Sequence, residues 1–138
     1  MNIIIAQALE RFSNFSEWII EAIELQKFGT TIRMELYSPI DASGKSISNE
    51  DNYLRCVLLF EGVQEFQIQN HLNNALITNL NEINWGFNEI AAFKIVDKSE
   101  IAEKYHNSNV PLTEYVFLWE SQRQIRIIST SLVIEQVG

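Results

Sequence analysis

The stretch Tyr53–Asn70, YLRCVLLFEGVQEFQIQN, holds the most concentrated apolar run in the chain, Cys56–Val57–Leu58–Leu59–Phe60. Five such residues in a row predict a strand buried on both faces. Glu61–Gly62 interrupts the run with a turn-capable pair. The chain then alternates, Phe66 and Ile68 on one side and Glu65, Gln67 and Gln69 on the other. A buried strand, a turn and a half-buried strand predict a central hairpin. A chain built on such a hairpin must supply further sheet to cover it.

The remaining segments provide that sheet. Ile32, Met34 and Leu36 alternate with Arg33 and Glu35 over Thr31–Tyr37, which predicts a strand. The short turn Phe28–Gly29–Thr30 precedes it. The segment before the turn, Phe15–Gln26, is ambiguous by itself. Glu17, Glu21 and Glu24 share one helical face and Ser16 suits an N-cap, while Ile19, Ile23 and Leu25 fit one strand face. The tight turn into a clear strand favours the strand and a hairpin. Ile90–Val96 and Tyr115–Glu120 alternate or are rich in aromatic and β-branched residues. Ser121–Gln124 has the length of a hairpin loop, and Ile125–Val137 reads as one long closing strand.

Helical signals are short. Ile5, Ala8, Leu9 and Phe12 predict an N-terminal helix ended by Ser13–Asn14 and packed as a lid. Ser99 can cap a turn over Glu100–Tyr105. His71–Ile77 fits either a helical turn or a strand start. Trp85–Gly86–Phe87 reads as a bulge-like interruption, and Asn107–Asn109 as a turn. Ser38–Asn52 is a long polar loop, of a kind that carries function or is disordered. The fold expected is mainly β, with α+β as the alternative. It is a single domain over residues 1–138, an antiparallel sandwich or strongly curved sheet with one or two short helices.

With 138 residues, 46% of them apolar and 20% charged, the chain can bury a substantial core without a disulfide or metal. Its one cysteine, Cys56, lies inside the apolar run and suits a reducing compartment. The N-terminus lacks the basic start and cleavage site of a secretory signal. No apolar run approaches the ~20 residues of a membrane span. The expectation is a cytoplasmic protein. The net charge of −8, from 18 acidic and 10 basic residues, argues against nucleic acid and anionic membranes as partners. Both call for cations. It favours a basic protein partner.

Catalytic signatures are lacking. His71 and His106 stand in no metal-binding spacing, and there is no Cys/His cluster. There is no nucleophile elbow and no glycine-rich phosphate loop. No metal or cofactor is expected. The candidate site is a surface property: Asp41, Glu50 and Asp51 lie in the long loop, and Glu61 and Glu65 flank the turn of the central hairpin. If the hairpin forms, these carboxylates can share one sheet edge and steer a basic protein surface. A different reading places Trp85, Phe87, Phe93, Tyr115 and Trp119 around a ligand pocket in a small-ligand-binding domain or enzyme.

The segment order also resembles small bacterial immunity proteins of polymorphic-toxin and contact-dependent inhibition systems. The residues that carry the resemblance are Phe15–Ser16–Glu17–Trp18–Ile19, then Ile32–Tyr37, then Val57–Leu58–Leu59–Phe60–Glu61–Gly62–Val63. The match covers roughly the first half of the chain. Ser16–Glu17 stands where that group commonly has a His–Asp pair. The resemblance implies a non-catalytic protein that binds and neutralises a cognate protein toxin. Joined to the acidic charge, the expectation is a toxin with a basic surface, a nuclease first among them. The resemblance carries over no individual binding residue.

Overall fold

The computed structural model describes residues 2–3, 5–83, 89–96, 99–105, 110–119 and 123–137. These form two antiparallel sheets with short helical segments, so the mainly β expectation holds. The strands are β1 (Asn2–Ile3), β2 (Ile19–Gln26), β3 (Thr31–Ser38), β4 (Leu54–Glu61), β5 (Glu65–Gln69), β6 (Ala92–Val96), β7 (Thr113–Leu118), β8 (Gln124–Ser129) and β9 (Ser131–Val137). The first sheet has the order β1-β9-β4-β3-β2, the second β5-β8-β7-β6. The helices are α1 (Ile5–Arg11) and α2 (Asn74–Thr78), so His71–Ile77 resolves as the approach to a helical turn. Asn73 caps α2, its Oδ1 accepting from the Leu76 amide at 2.9 Å.

The two sheets enclose one apolar core. Ile32, Met34 and Leu36 of β3 and Cys56, Leu58 and Phe60 of β4 face Phe93, Tyr115, Phe117, Ile125 and Ile127 of the second sheet. The run Cys56–Phe60 is fully buried on one face only. Val57 and Leu59 point to the outer face and are half-buried. That differs from the double burial expected, because among the described residues no second layer covers the outside of β4.

The predicted central hairpin does not form. β4 pairs with β3 and β9, whereas β5 pairs with β8 in the other sheet. Gly62 sits at the corner with φ of +64°. The predicted long strand Ile125–Val137 likewise breaks at Thr130, between β8 in the second sheet and β9 in the first. The two crossings lie side by side. The Thr130 amide and hydroxyl both donate to the Glu61 carbonyl, at 3.0 and 2.9 Å. The Gln64 amide donates to Ile128 O at 2.8 Å. Alternation alone cannot distinguish a turn that folds a strand back from one that hands it to another sheet.

The hairpin of β2 and β3 is as predicted, from Ile19↔Tyr37 to Gln26↔Thr31. Its register shifts between Ile20 and Ala22, which makes a bulge at Glu21. The bulge puts Ile20, not Ile19, on the face shared with Ile23 and Leu25. The hairpin tip, Lys27–Phe28–Gly29, is left-handed throughout, with φ of 49°, 61° and 86°. Phe28 is wholly exposed there.

A second left-handed turn, Ser13–Asn14–Phe15, ends the lid helix, with φ of 52°, 55° and 57°. It drives Phe15 into the core. Phe12, Phe15 and Trp18 meet with centroids 5.0–5.7 Å apart, and Phe15 reaches Phe93 at 6.1 Å. Left-handed backbone costs roughly 1–2 kcal/mol per residue. Burying each of three aromatic rings contributes about 1.5–3 kcal/mol, which offsets the strain.

The Ser99 cap also forms: its Oγ accepts from the Ala102 amide at 3.0 Å and donates to buried Glu114. The turn it caps is short, Ala102–Tyr105. Trp85–Gly86–Phe87, Asn107–Asn109 and the first half of the predicted 121–124 loop lie outside the described residues, although β7 and β8 pair as that loop requires.

At Gly62 a Cβ would overlap Thr130 Oγ1 and come 2.8 Å from its Cγ2. Gly62→Ala should therefore destabilise the fold by about 3 kcal/mol, from strain plus overlap. In urea titrations Thr130→Gly should recover the overlap part in the double variant; strictly additive losses would contradict the shared corner. At the exposed tip, Phe28→Asn should raise stability by about 0.5–1 kcal/mol, since asparagine tolerates the left-handed region. A lower urea midpoint would contradict this.

Candidate functional site

The five predicted carboxylates do not share an edge. Asp41, Glu50 and Asp51 lie between β3 and β4, where β4 begins. Glu61 ends β4, seven residues after Leu54. At about 3.3 Å per residue that is roughly 23 Å away. Glu65 follows the corner into the second sheet, opposite Ile128. One of its carboxylate oxygens, Oε2, is shielded from solvent without a hydrogen-bond partner. The structure thus groups the three loop residues and separates the other two.

The loop itself is ordered by its polar side chains. Asp41 Oδ1 accepts from the Ser43 amide (2.9 Å), the Ser43 hydroxyl (2.6 Å) and the Lys45 amide (3.0 Å). The Ser43 hydroxyl, helped by the Lys45 and Ser43 amides, holds the Asp41 carboxyl below its usual pKa. Ile40 and Ser46 make an isolated bridge. Asn49 caps the turn Glu50–Asn52 through the Asp51 amide at 3.0 Å. Glu50 and Asp51 are left exposed at the turn.

The loop end also receives acids that sequence reading left aside. The Glu17 amide donates to Ile90 O at 2.8 Å, and the Ile90 amide donates to Trp18 O at 2.7 Å. Ile19 bridges to Glu89. This seam ties the start of β2 to the approach to β6 and brings Glu17 and Glu89 beside the loop. Glu17 itself has a φ of +69°. The sequence placed Glu17 only on a possible helical face with Glu21 and Glu24; nothing in it marked the seam, because the pairing joins residues about seventy positions apart.

Two clefts open between the loop and this seam. The larger, about 510 Å³, is lined by Arg11, Ser13, Ser16, Glu17 and Asp41 over a floor that includes Phe12 and Trp18. Arg11 donates from Nη1 to Gln136 Oε1 at 3.1 Å. The smaller, about 360 Å³, lies between Glu17, Glu89 and the loop. Nearby, Arg55 donates to Glu21 Oε2 at 2.8 Å. Its guanidinium lies 5.6 Å from the centre of the Tyr37 ring. Tyr37 stacks on Tyr53, 5.5 Å away and nearly parallel.

The aromatic residues proposed for a ligand pocket lie elsewhere. Phe93, Tyr115 and Trp119 are buried in the core cluster, and Phe93 packs on Tyr115 and Phe117. Trp85 and Phe87 lie outside the described residues. Among the described residues no three His, Cys, Asp or Glu side chains gather as a metal set. None of the helices among them is long and apolar enough to cross a membrane.

No protein-family model matches the chain, and no curated protein does either. A solved structure described as an uncharacterized protein from Neisseria gonorrhoeae is similar to it. The TM-score is 0.56 at 13% sequence identity, over 89% of this chain and 94% of that one. Likeness at that identity shows a shared fold.

Burial pushes the Cys56 thiol up to about 12, against a small opposing pull from Arg11. A neutral, enclosed thiol is a poor nucleophile. At pH 8 a disulfide reagent should label the folded chain no faster than it opens; prompt labelling would show a reactive site. The raised value also fixes a sign. The thiol's contribution is complete below about pH 9 and is lost as pH rises towards 12. Wild type should therefore lose stability relative to Cys56→Ala across that range in urea titrations.

Proposed function

We propose that this chain is a non-catalytic, immunity-type protein that binds and neutralises a cognate protein toxin with a basic surface. It does so through the end of the sandwich that carries the Ser38–Asn52 loop. The observation that carries this reading is the charge at that end. Glu17, Asp41, Glu50, Asp51 and Glu89 stand there with Arg11 and Lys45, while Glu21 and Arg55 pair with each other. A net negative end steers a cationic surface towards it and speeds association.

The loop is already held by Asp41 and Asn49, which lowers the entropy lost on binding. A nuclease is the toxin class that fits best. The cations that contact a phosphate backbone are the groups such an acidic end would cover. The same reading places the protein in the bacterial cytoplasm, in keeping with a single buried thiol. The likeness in segment order to immunity proteins supports it independently of charge. The 510 Å³ cleft favours the alternative, a small-ligand-binding domain.

Capture of partners from lysate of the source cells, at low and high salt, separates the two. The inhibitor reading expects one basic protein at close to one-to-one, released by salt. Glu50→Lys with Asp51→Lys should weaken that capture at least tenfold at low salt. Glu61→Lys, at the far end of β4, should have little effect. Unchanged capture by the loop variant would remove the acidic end from the interface. Recovery of no partner would favour the ligand-binding alternative.

A further inference from the structure

The smaller cleft has a chemistry distinct from the surface around it. Among the described residues, the charged groups that line the cleft are Glu17 and Glu89. They are supplied from opposite sides of the seam and fixed by the Glu17–Ile90 hydrogen bond and the Ile19–Glu89 bridge. Its walls are mostly apolar, Ile19, Pro39, Ile40 and Ile47 with Tyr53, and Ser46 adds one hydroxyl. Apolar walls with an aromatic ring and two carboxylates suit a long side chain with an apolar stem and a cationic head. At about 360 Å³ the cleft is near the small end of ligand pockets.

A guanidinium fits this set better than an ammonium. Its plane can lie on the tyrosine ring while its donors reach carboxylates on two sides. The protein already uses that arrangement next door, where Arg55 lies over Tyr37 and donates to Glu21. Tyr37 in turn stacks on Tyr53, the ring that lines the cleft.

We propose that this cleft receives an arginine side chain projecting from the partner protein, with its stem on Ile19 and Ile47 and its guanidinium between Tyr53, Glu17 and Glu89. The inference rests on the reading of the chain as a binder of a basic protein and names the group that is recognised.

The test is an NMR titration of the whole chain with N-acetyl-arginine methylamide, compared with the lysine and citrulline equivalents. The expected result is saturable binding, on the order of 1 mM for so small a probe, with shifts centred on Ile19, Ile47 and Tyr53. Citrulline, neutral and of the same shape, should bind at least tenfold more weakly, and lysine measurably more weakly. Glu17→Gln with Glu89→Gln should lower arginine affinity about tenfold. If that double variant fails to fold, the probe comparison on the wild type still decides. Equal affinity for the lysine or citrulline probe, or no saturable shift at these residues, overturns the assignment. Salt-sensitive capture of a basic partner alongside either result would overturn the arginine cleft alone. Loss of such capture would overturn the binding reading itself.

Discussion

The architecture depends on the corner where two strands change sheets side by side. Gly62 carries the chain from β4 to β5, and Thr130 carries it from β8 to β9. The Thr130 amide and hydroxyl close on the Glu61 carbonyl, and the Thr130 side chain fills the space a Cβ at residue 62 would need. β4 and β9 are neighbours in one sheet, β5 and β8 in the other. The corner therefore fixes how the two sheets begin to face each other, and with that the aromatic core between them. A shared acceptor and the missing Cβ of one glycine make the crossing close enough for this.

At the other end of β4 the constraint is different. There the sheets are joined by the seam of Glu17, Trp18 and Ile19 against Glu89 and Ile90. The strained turn Ser13–Phe15 feeds that seam and is held by the burial of Phe12, Phe15 and Trp18. Strained backbone beside a cleft is common at binding sites because the surrounding packing can sustain it. Here the strain has a packing cause, and the binding surface gains by it. The same turn that buries Phe15 presents Glu17 to the loop.

The charge of the chain acquires a direction only through this arrangement. Asp41 is largely occupied in ordering its own loop, while Glu50 and Asp51 stay exposed at a capped turn. Glu61 and Glu65 sit at the far end, one at a strand corner and the other partly enclosed. Acids that looked equivalent in sequence therefore divide into loop-ordering, exposed and remote groups. Recruitment of Glu17 and Glu89 to the loop end replaces the two that the corner takes away.

The sequence by itself determined the mainly β class, the lid helix, the β2–β3 hairpin, the polar loop and the burial of Cys56. Those follow from local periodicity, caps and composition, which act over a few residues. Only the tertiary structure decided that Glu61–Gly62 and Thr130 are crossings rather than a hairpin turn and mid-strand residues. An alternating strand looks the same whichever sheet receives it. The bulge at Glu21, which exchanged Ile19 for Ile20 on the inner face, was hidden for a similar reason: one extra residue is visible only against a partner strand. The candidate site lay deepest, because Glu17 and Glu89 are brought together by backbone hydrogen bonds between distant segments. Local pattern carries no record of such pairings.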